Sequence, residues 1–147
     1  QHYLLSGSGG YGFIAKLGDM VGRVKAGKVV MTVDSGETVL LPVAVYASSL
    51  INPDCKVVLA SSDHRLLAFS IGELKVMPKG RGLQLMSLAD GASLEHIMVT
   101  TSPEFTVVSV GRRGAEYQEK LRIADIDGKR GKKGKVLEIS GHLKSLS

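Results

Sequence analysis

The sequence has no tryptophan, one cysteine and four prolines in 147 residues, and each scarcity closes off a class of protein. Cys55 alone excludes an internal disulfide, which fits a reducing, cytoplasmic setting. It follows Pro53-Asp54 and leads into an apolar run, the context of a partly buried thiol rather than a reactive one. Few prolines beside 18 glycines favour tight hairpins over extended linkers. No apolar run approaches the roughly 20 residues that span a bilayer. The first ten residues lack the basic start and apolar stretch of a secretory leader. An initiator methionine is absent too, as expected of an excised segment or a processed start.

Catalytic constellations are equally scarce. His2, His64, His96 and His142 have no second His or Cys at metal-ligand spacing. Asp125, Asp127 and Glu119 lack the alternate carboxylates and closing Glu of a calcium loop, and are read as a solvated bend. No G-x-S-x-G elbow occurs. Gly7-Ser8-Gly9-Gly10-Tyr11-Gly12 matches the dinucleotide fingerprint. That motif needs a helix after it, and Phe13-Ile14-Ala15 is strand-like, so a glycine-rich hairpin turn is expected instead. A nucleotide-dependent oxidoreductase is thereby disfavoured, and no cofactor is expected in this chain.

What remains is a repeat and an excess of positive charge. The length suits one domain with a sizeable core. Three segments, approximately 3–50, 57–98 and 105–140, share one grammar. Each opens with a β-rich run: Tyr3-Leu4-Leu5-Ser6, Val57 to Ser61, and Thr106 to Val110. A turn and a second apolar run follow, as in Gly12 to Ala15 and Leu66 to Phe69, and then an acidic or amphipathic bend. A basic glycine loop comes last: Arg23-Val24-Lys25-Ala26-Gly27-Lys28, Lys79-Gly80-Arg81-Gly82, and Lys129-Arg130-Gly131-Lys132-Lys133-Gly134-Lys135. Gly27, Gly82 and Gly134 are spaced by 55 and 52 residues, enough for four short strands and their turns. No segment holds a helical period for 12 residues; Ala115 to Ile126 comes closest and is assigned one or two helical turns. The expected fold class is all-β, built of short repeating antiparallel strands.

The net charge is +5 and unevenly placed. Residues 1–100 hold nine Lys/Arg against eight Asp/Glu, whereas residues 101–147 hold ten against six. One basic run alone reads as a solvated loop. Recurrence at the same point of three repeats does not, because stacking the repeats would align the loops on one rim. Glycine lets the backbone approach phosphate oxygens, and each lysine or arginine releases counterions from DNA. The candidate DNA contacts are Arg23, Lys25, Lys28, Lys79, Arg81, Lys129, Arg130, Lys132, Lys133 and Lys135. Arg112 and Arg113, in the third hairpin turn, extend the set. Such loops supply charge but little base code, so DNA shape would set preference. The rival is a propeller-type interaction module whose basic loops meet an acidic protein.

Tyr3-Leu4-Leu5, the Gly10-Tyr11-Gly12-Phe13 turn, Lys25-Ala26-Gly27-Lys28 and Lys79-Gly80-Arg81-Gly82, in that order, resemble the C-terminal domain of the A subunit of bacterial topoisomerase IV. The corresponding gyrase domain is a more distant likeness. The resemblance runs from Tyr3 to Ile139. It implies a β-pinwheel of blades that exchange strands, here a partial one of about three repeats with an open strand edge. It implies a non-catalytic domain whose basic rim binds and bends duplex DNA, guiding decatenation and supercoil relaxation. The cleavage tyrosine, ATP and Mg would belong to parts of the heterotetramer outside this chain, leaving Tyr3, Tyr11, Tyr46 and Tyr117 without a nucleophilic role. Its partners would be DNA, the rest of the cleavage subunit, and the ATP-handling one. The gyrase Q-R-R-G-G-K-G box is only loosely echoed by Lys129 to Lys135, with no preceding Gln, which favours topoisomerase IV and bending over full wrapping.

Overall fold

Runs rich in Val, Leu, Ile and Phe between glycine turns form strands because branched and apolar side chains pack well on a pleated surface. The computed structural model describes residues 2–16, 18, 31–139 and 141–147. Its strands are β1 (His2–Ser6), β2 (Tyr11–Lys16), β3 (Val43–Val45), β4 (Lys56–Ser61), β5 (Arg65–Ser70), β6 (Leu83–Gln84), β7 (Leu94–Thr100), β8 (Glu104–Val110), β9 (Glu116–Arg122), β10 (Lys135–Val136) and β11 (His142–Leu146). They make three antiparallel sheets, ordered β3-β1-β2-β6, β10-β5-β4-β7 and β11-β8-β9.

Each sheet is centred on a hairpin: β1–β2, β4–β5 or β8–β9. A later strand, β3, β7 or β11, pairs with the first hairpin strand. The fourth strand of the first two sheets comes from the next repeat, since β6 pairs with β2 and β10 with β5. The exchange extends beyond the named strands. Ile14 donates its N–H to Lys75 O at 2.9 Å and accepts from Met77 N at 2.8 Å. One repeat on, Ala68 donates to Ile126 O at 3.0 Å and accepts from Gly128 N at 2.8 Å. Among the described residues, no exchanged strand covers β9, whose residues are exposed apart from half-buried Leu121. All-β blades of short repeating strands match the class read from the repeat, and the trading of strands between neighbours is the β-pinwheel architecture that the resemblance implies.

The core lies between the sheets. Leu4 and Ile14 of the first sheet meet Val57, Leu59, Leu67 and Phe69 of the second in one buried cluster. The opposite face of the second sheet, Val58, Ala60, Leu66 and Ala68, packs on Phe105, Val107, Ile123 and Leu143. Burial on both faces explains why β4 and β5 read as unbroken apolar runs rather than alternating ones. A smaller cluster of Leu5, Phe13, Ala15 and Met31 covers the far face of the first sheet.

Two expectations change. Most of Ala115 to Ile126 is strand β9 rather than helix, followed by a 3-10 turn at Ile123–Asp125. Pairing with all seven residues of β8 outweighs the weak helical pattern of that segment. Cys55 is fully buried rather than partly so, and burial pushes its thiol pKa up, against the opposing hydrogen bond from Ser49. The all-β class holds with one helical turn, Ala47–Leu50, at the end of the first repeat, and past the second and third basic loops the strands β6 and β10 are only two residues long.

Candidate nucleic-acid interface

The first glycine cluster is a hairpin turn. Gly10, at φ 88°, closes it, and strand β2 follows. This geometry removes the helix N-terminus that a dinucleotide would need. Among the described residues no group of three or more metal-ligating side chains converges, and no helix is long and apolar enough to cross a membrane.

The exchanged strands position the basic loops. Gly82 has φ 86°, and a Cβ there would stand 2.2 Å from Gly12 O at the start of β2. Gly134 has φ 79°, and its Cβ would stand 2.5 Å from Leu66 O at the start of β5. Only glycine permits this close crossing at positive φ, so both loops are pinned at matching places on successive sheets. Each loop also runs beside the segment that leaves the loop before it. Thr32 N donates to Gly80 O at 2.8 Å, and Ser87 N donates to Lys132 O at 3.0 Å.

Arg23, Lys25 and Lys28 lie outside the described residues. Lys79, Lys129, Lys132, Lys133 and Lys135 are exposed, and none has an ion-pair partner among the described residues. Arg81 and Arg130 differ, being half-buried and engaged internally. Arg130 Nη1 donates to Gln84 O at 2.7 Å, while its backbone N donates to Glu73 Oε1 at 3.1 Å. That pair of bonds fastens the third loop to the second repeat. Arg81 stacks over the Tyr11 ring, 4.0 Å from its centroid, and its Nη2 is 2.9 Å from Asp34 Oδ2. Arg112 and Arg113 are exposed on the β8–β9 turn, a different position in the repeat, and no hydrogen bond or ion pair among the described residues links them to the loops. The anchors Asp34, Glu73 and Gln84 carry no sequence signature of their own, and Tyr11 stands out only as part of the glycine turn, not as a partner of Arg81.

The solvated acidic bend is partly committed to structure. Asp127 pairs with Lys56 at 3.2 Å and Asp125 with Arg122 at 3.2 Å. Lys56 and Asp127 also line a cleft of about 650 Å³ with Glu104 and Arg122, a mixed-charge surface unlike the loops. In the second hairpin turn, the Ser61 hydroxyl donates to Asp63, and this bond above all holds the carboxyl below its usual range, with Arg65 beside it. The result is an open cationic surface on fixed backbone, suited to a polyanion rather than to a small molecule in a cavity.

No family model matches the chain. It is 67% identical, over all 147 residues, to the A subunit of DNA topoisomerase 4 from Neisseria gonorrhoeae, covering 19% of that protein. The chain spans less than a fifth of the length of the curated relatives it matches. Among solved structures, the E. coli ParC C-terminal domain superposes with a TM-score of 0.82 at 22% identity, over 100% of this chain and 60% of that one. A DNA gyrase A C-terminal domain superposes with a TM-score of 0.76 at 20% identity, over 99% of this chain and 48% of that one. The sequence identity and the strand-exchanged fold agree: the chain belongs to the family of topoisomerase IV A subunits and has the β-pinwheel fold of their C-terminal domain.

Proposed function

We propose that this chain is the DNA-binding and DNA-bending module of a type IIA topoisomerase, without catalysis of its own. One observation carries the reading. The loop from Lys129 to Lys135 presents four exposed lysines without ion-pair partners among the described residues, on a backbone tied down by Arg130 and Gly134. Lysines on fixed loops neutralise phosphates without reading bases. A curved rim would favour DNA that bends readily. Lys79 and, from the hairpin side, Arg112 and Arg113 extend the surface; Arg23, Lys25 and Lys28 complete the first loop of the repeat.

In this reading the module holds DNA near a cleavage core supplied by the rest of its own polypeptide, while the other polypeptide of the heterotetramer handles ATP and Mg, and no cofactor binds here. Biasing which duplex crossing is captured would guide decatenation and supercoil relaxation. Tyr3, Tyr11, Tyr46 and Tyr117 take no part in cleavage. The setting is cytoplasmic, on the chromosome.

The test is binding to a duplex of a few tens of base pairs from 50 to 200 mM salt. Six or more phosphate contacts require a loss of roughly 10³-fold or more over that range. Replacing Lys129, Lys132, Lys133 and Lys135 by Ala, with Arg130 kept, should flatten the log–log slope by about 3 to 4. Absence of duplex binding at low salt, with capture of an acidic protein by the same loops, would overturn the DNA reading in favour of a protein-interaction module.

A further inference from the structure

The exchanged strands place Arg81 and Lys133 at the same point of successive repeats. Gly82 and Gly134 cross Gly12 and Leu66 alike, Tyr11 pairs with Gln84 as Arg65 pairs with Val136, and Gly80 O and Lys132 O accept equivalent backbone bonds. The surroundings of the two cations nevertheless differ. Arg81 is held between the Tyr11 ring and the Asp34 carboxylate. The position matching Tyr11 is Arg65, and the position matching Asp34 is Ala89. That second match is fixed by the turns, because Glu37 N donates to Asp34 O and Ala92 N to Ala89 O. Among the described residues Lys133 therefore has neither an aromatic face nor a carboxylate to hold it, and it is exposed.

We propose that Asp34 is a built-in phosphate mimic that occupies Arg81, so that the loop from Lys79 to Gly82 is a muted DNA contact and the loop from Lys129 to Lys135 the leading one. The proposal rests on the DNA-binding reading above. A phosphate reaching Arg81 must displace Asp34 from a bond already made, whereas a phosphate reaching Lys133 meets no such bond among the described residues. The Asp34 side is also built to stay in place. Its backbone N is bonded to Glu37 Oε1 at 3.0 Å, and Thr38 N is bonded to Ser8 Oγ at 2.9 Å, tying the turn to the first hairpin. The first repeat thus carries a carboxylate where the second carries a methyl group, and the difference grades the two contacts along the DNA.

The experiment compares duplex binding of the full chain with its Asp34→Ala variant, which installs the residue found in the second repeat, and with Asp34→Asn. Arg81→Ala is made in each background, and thermal melting monitors folding. Freeing Arg81 should add one phosphate contact, steepening the log–log salt slope by about 0.9 and so adding roughly three- to fourfold to the affinity lost between 50 and 200 mM. Arg81→Ala should abolish that gain in the Asp34→Ala background and change little with Asp34 present. An unchanged slope in folded Asp34→Ala and Asp34→Asn, with the wild type still binding, would overturn the proposal and leave the DNA reading intact. Absence of binding by every variant would overturn both.

Discussion

Arginine and lysine divide the labour in the basic loops. Arg130 commits its guanidinium to Gln84 O and half-buries its side chain, whereas Lys129, Lys132 and Lys133 stand in solvent. Guanidinium suits an anchoring role because its planar fork gives directed bonds, while an ammonium is a hydrated point charge that keeps its reach. Arg130→Ala removes a charge-assisted bond and leaves Gln84 O without that donor, which should cost about 1–3 kcal/mol. Lys133→Ala should stay within about 0.5 kcal/mol of wild type, as exposed substitutions do. Melting temperatures and duplex affinities measured side by side check this: Arg130→Ala should lower both, Lys133→Ala only the affinity. Equal effects on melting would contradict the division. None of it is legible in the sequence, where both residues count as one positive charge in a run. Burial and partners separate them, and those depend on which strand the chain brings alongside.

At the level of elements, the sequence is readable where a strand's pattern depends on its own neighbours and opaque where it depends on another repeat. The hairpins β1–β2 and β4–β5 announce themselves through apolar runs around short turns. Strands β6 and β10 do not, being two residues long and defined only by the edge they join. Strand β9 hides in part because its exposed residues, Glu116 to Lys120, carry little of the alternation that marks a half-buried strand. The basic loops stand out by their composition, but their placement comes from glycine geometry. Gly82 and Gly91 separate the causes. Both have positive φ, but a Cβ at Gly91 meets open space while one at Gly82 meets Gly12 O. Gly91→Ala should cost about 1–2 kcal/mol, the left-handed backbone penalty alone. Gly82→Ala adds an encounter with fixed backbone and should cost several times more, with loss of β6 pairing. Denaturant midpoints for the two variants measure the gap, and equal values would mean that the close crossing is not required.

For the whole molecule, the second sheet decides how the fold comes apart. Val58 and Leu59 are adjacent and both fully buried, one in each main core cluster. Losing either neighbouring sheet would expose a full apolar face of β4–β5, and the exchanged strands would detach with it. One cooperative transition is therefore expected, with calorimetric and van't Hoff enthalpies equal. Two resolved transitions would show that the sheets hold together separately.

The exchange also governs how such an array can change length. Residues that are neighbours in the chain and residues that share a sheet are out of step by one unit, so a repeat is not a bead on a string. Excising one unit of this register would remove β6 together with β4 and β5, stripping the outer edge of β2. The same cut would bring β10 up to that edge, carrying Gly134, whose crossing of Leu66 matches the crossing of Gly12 by Gly82. The junction left behind has the same geometry as the one removed. Recombination between repeats can thus shorten or lengthen the rim without inventing a new interface.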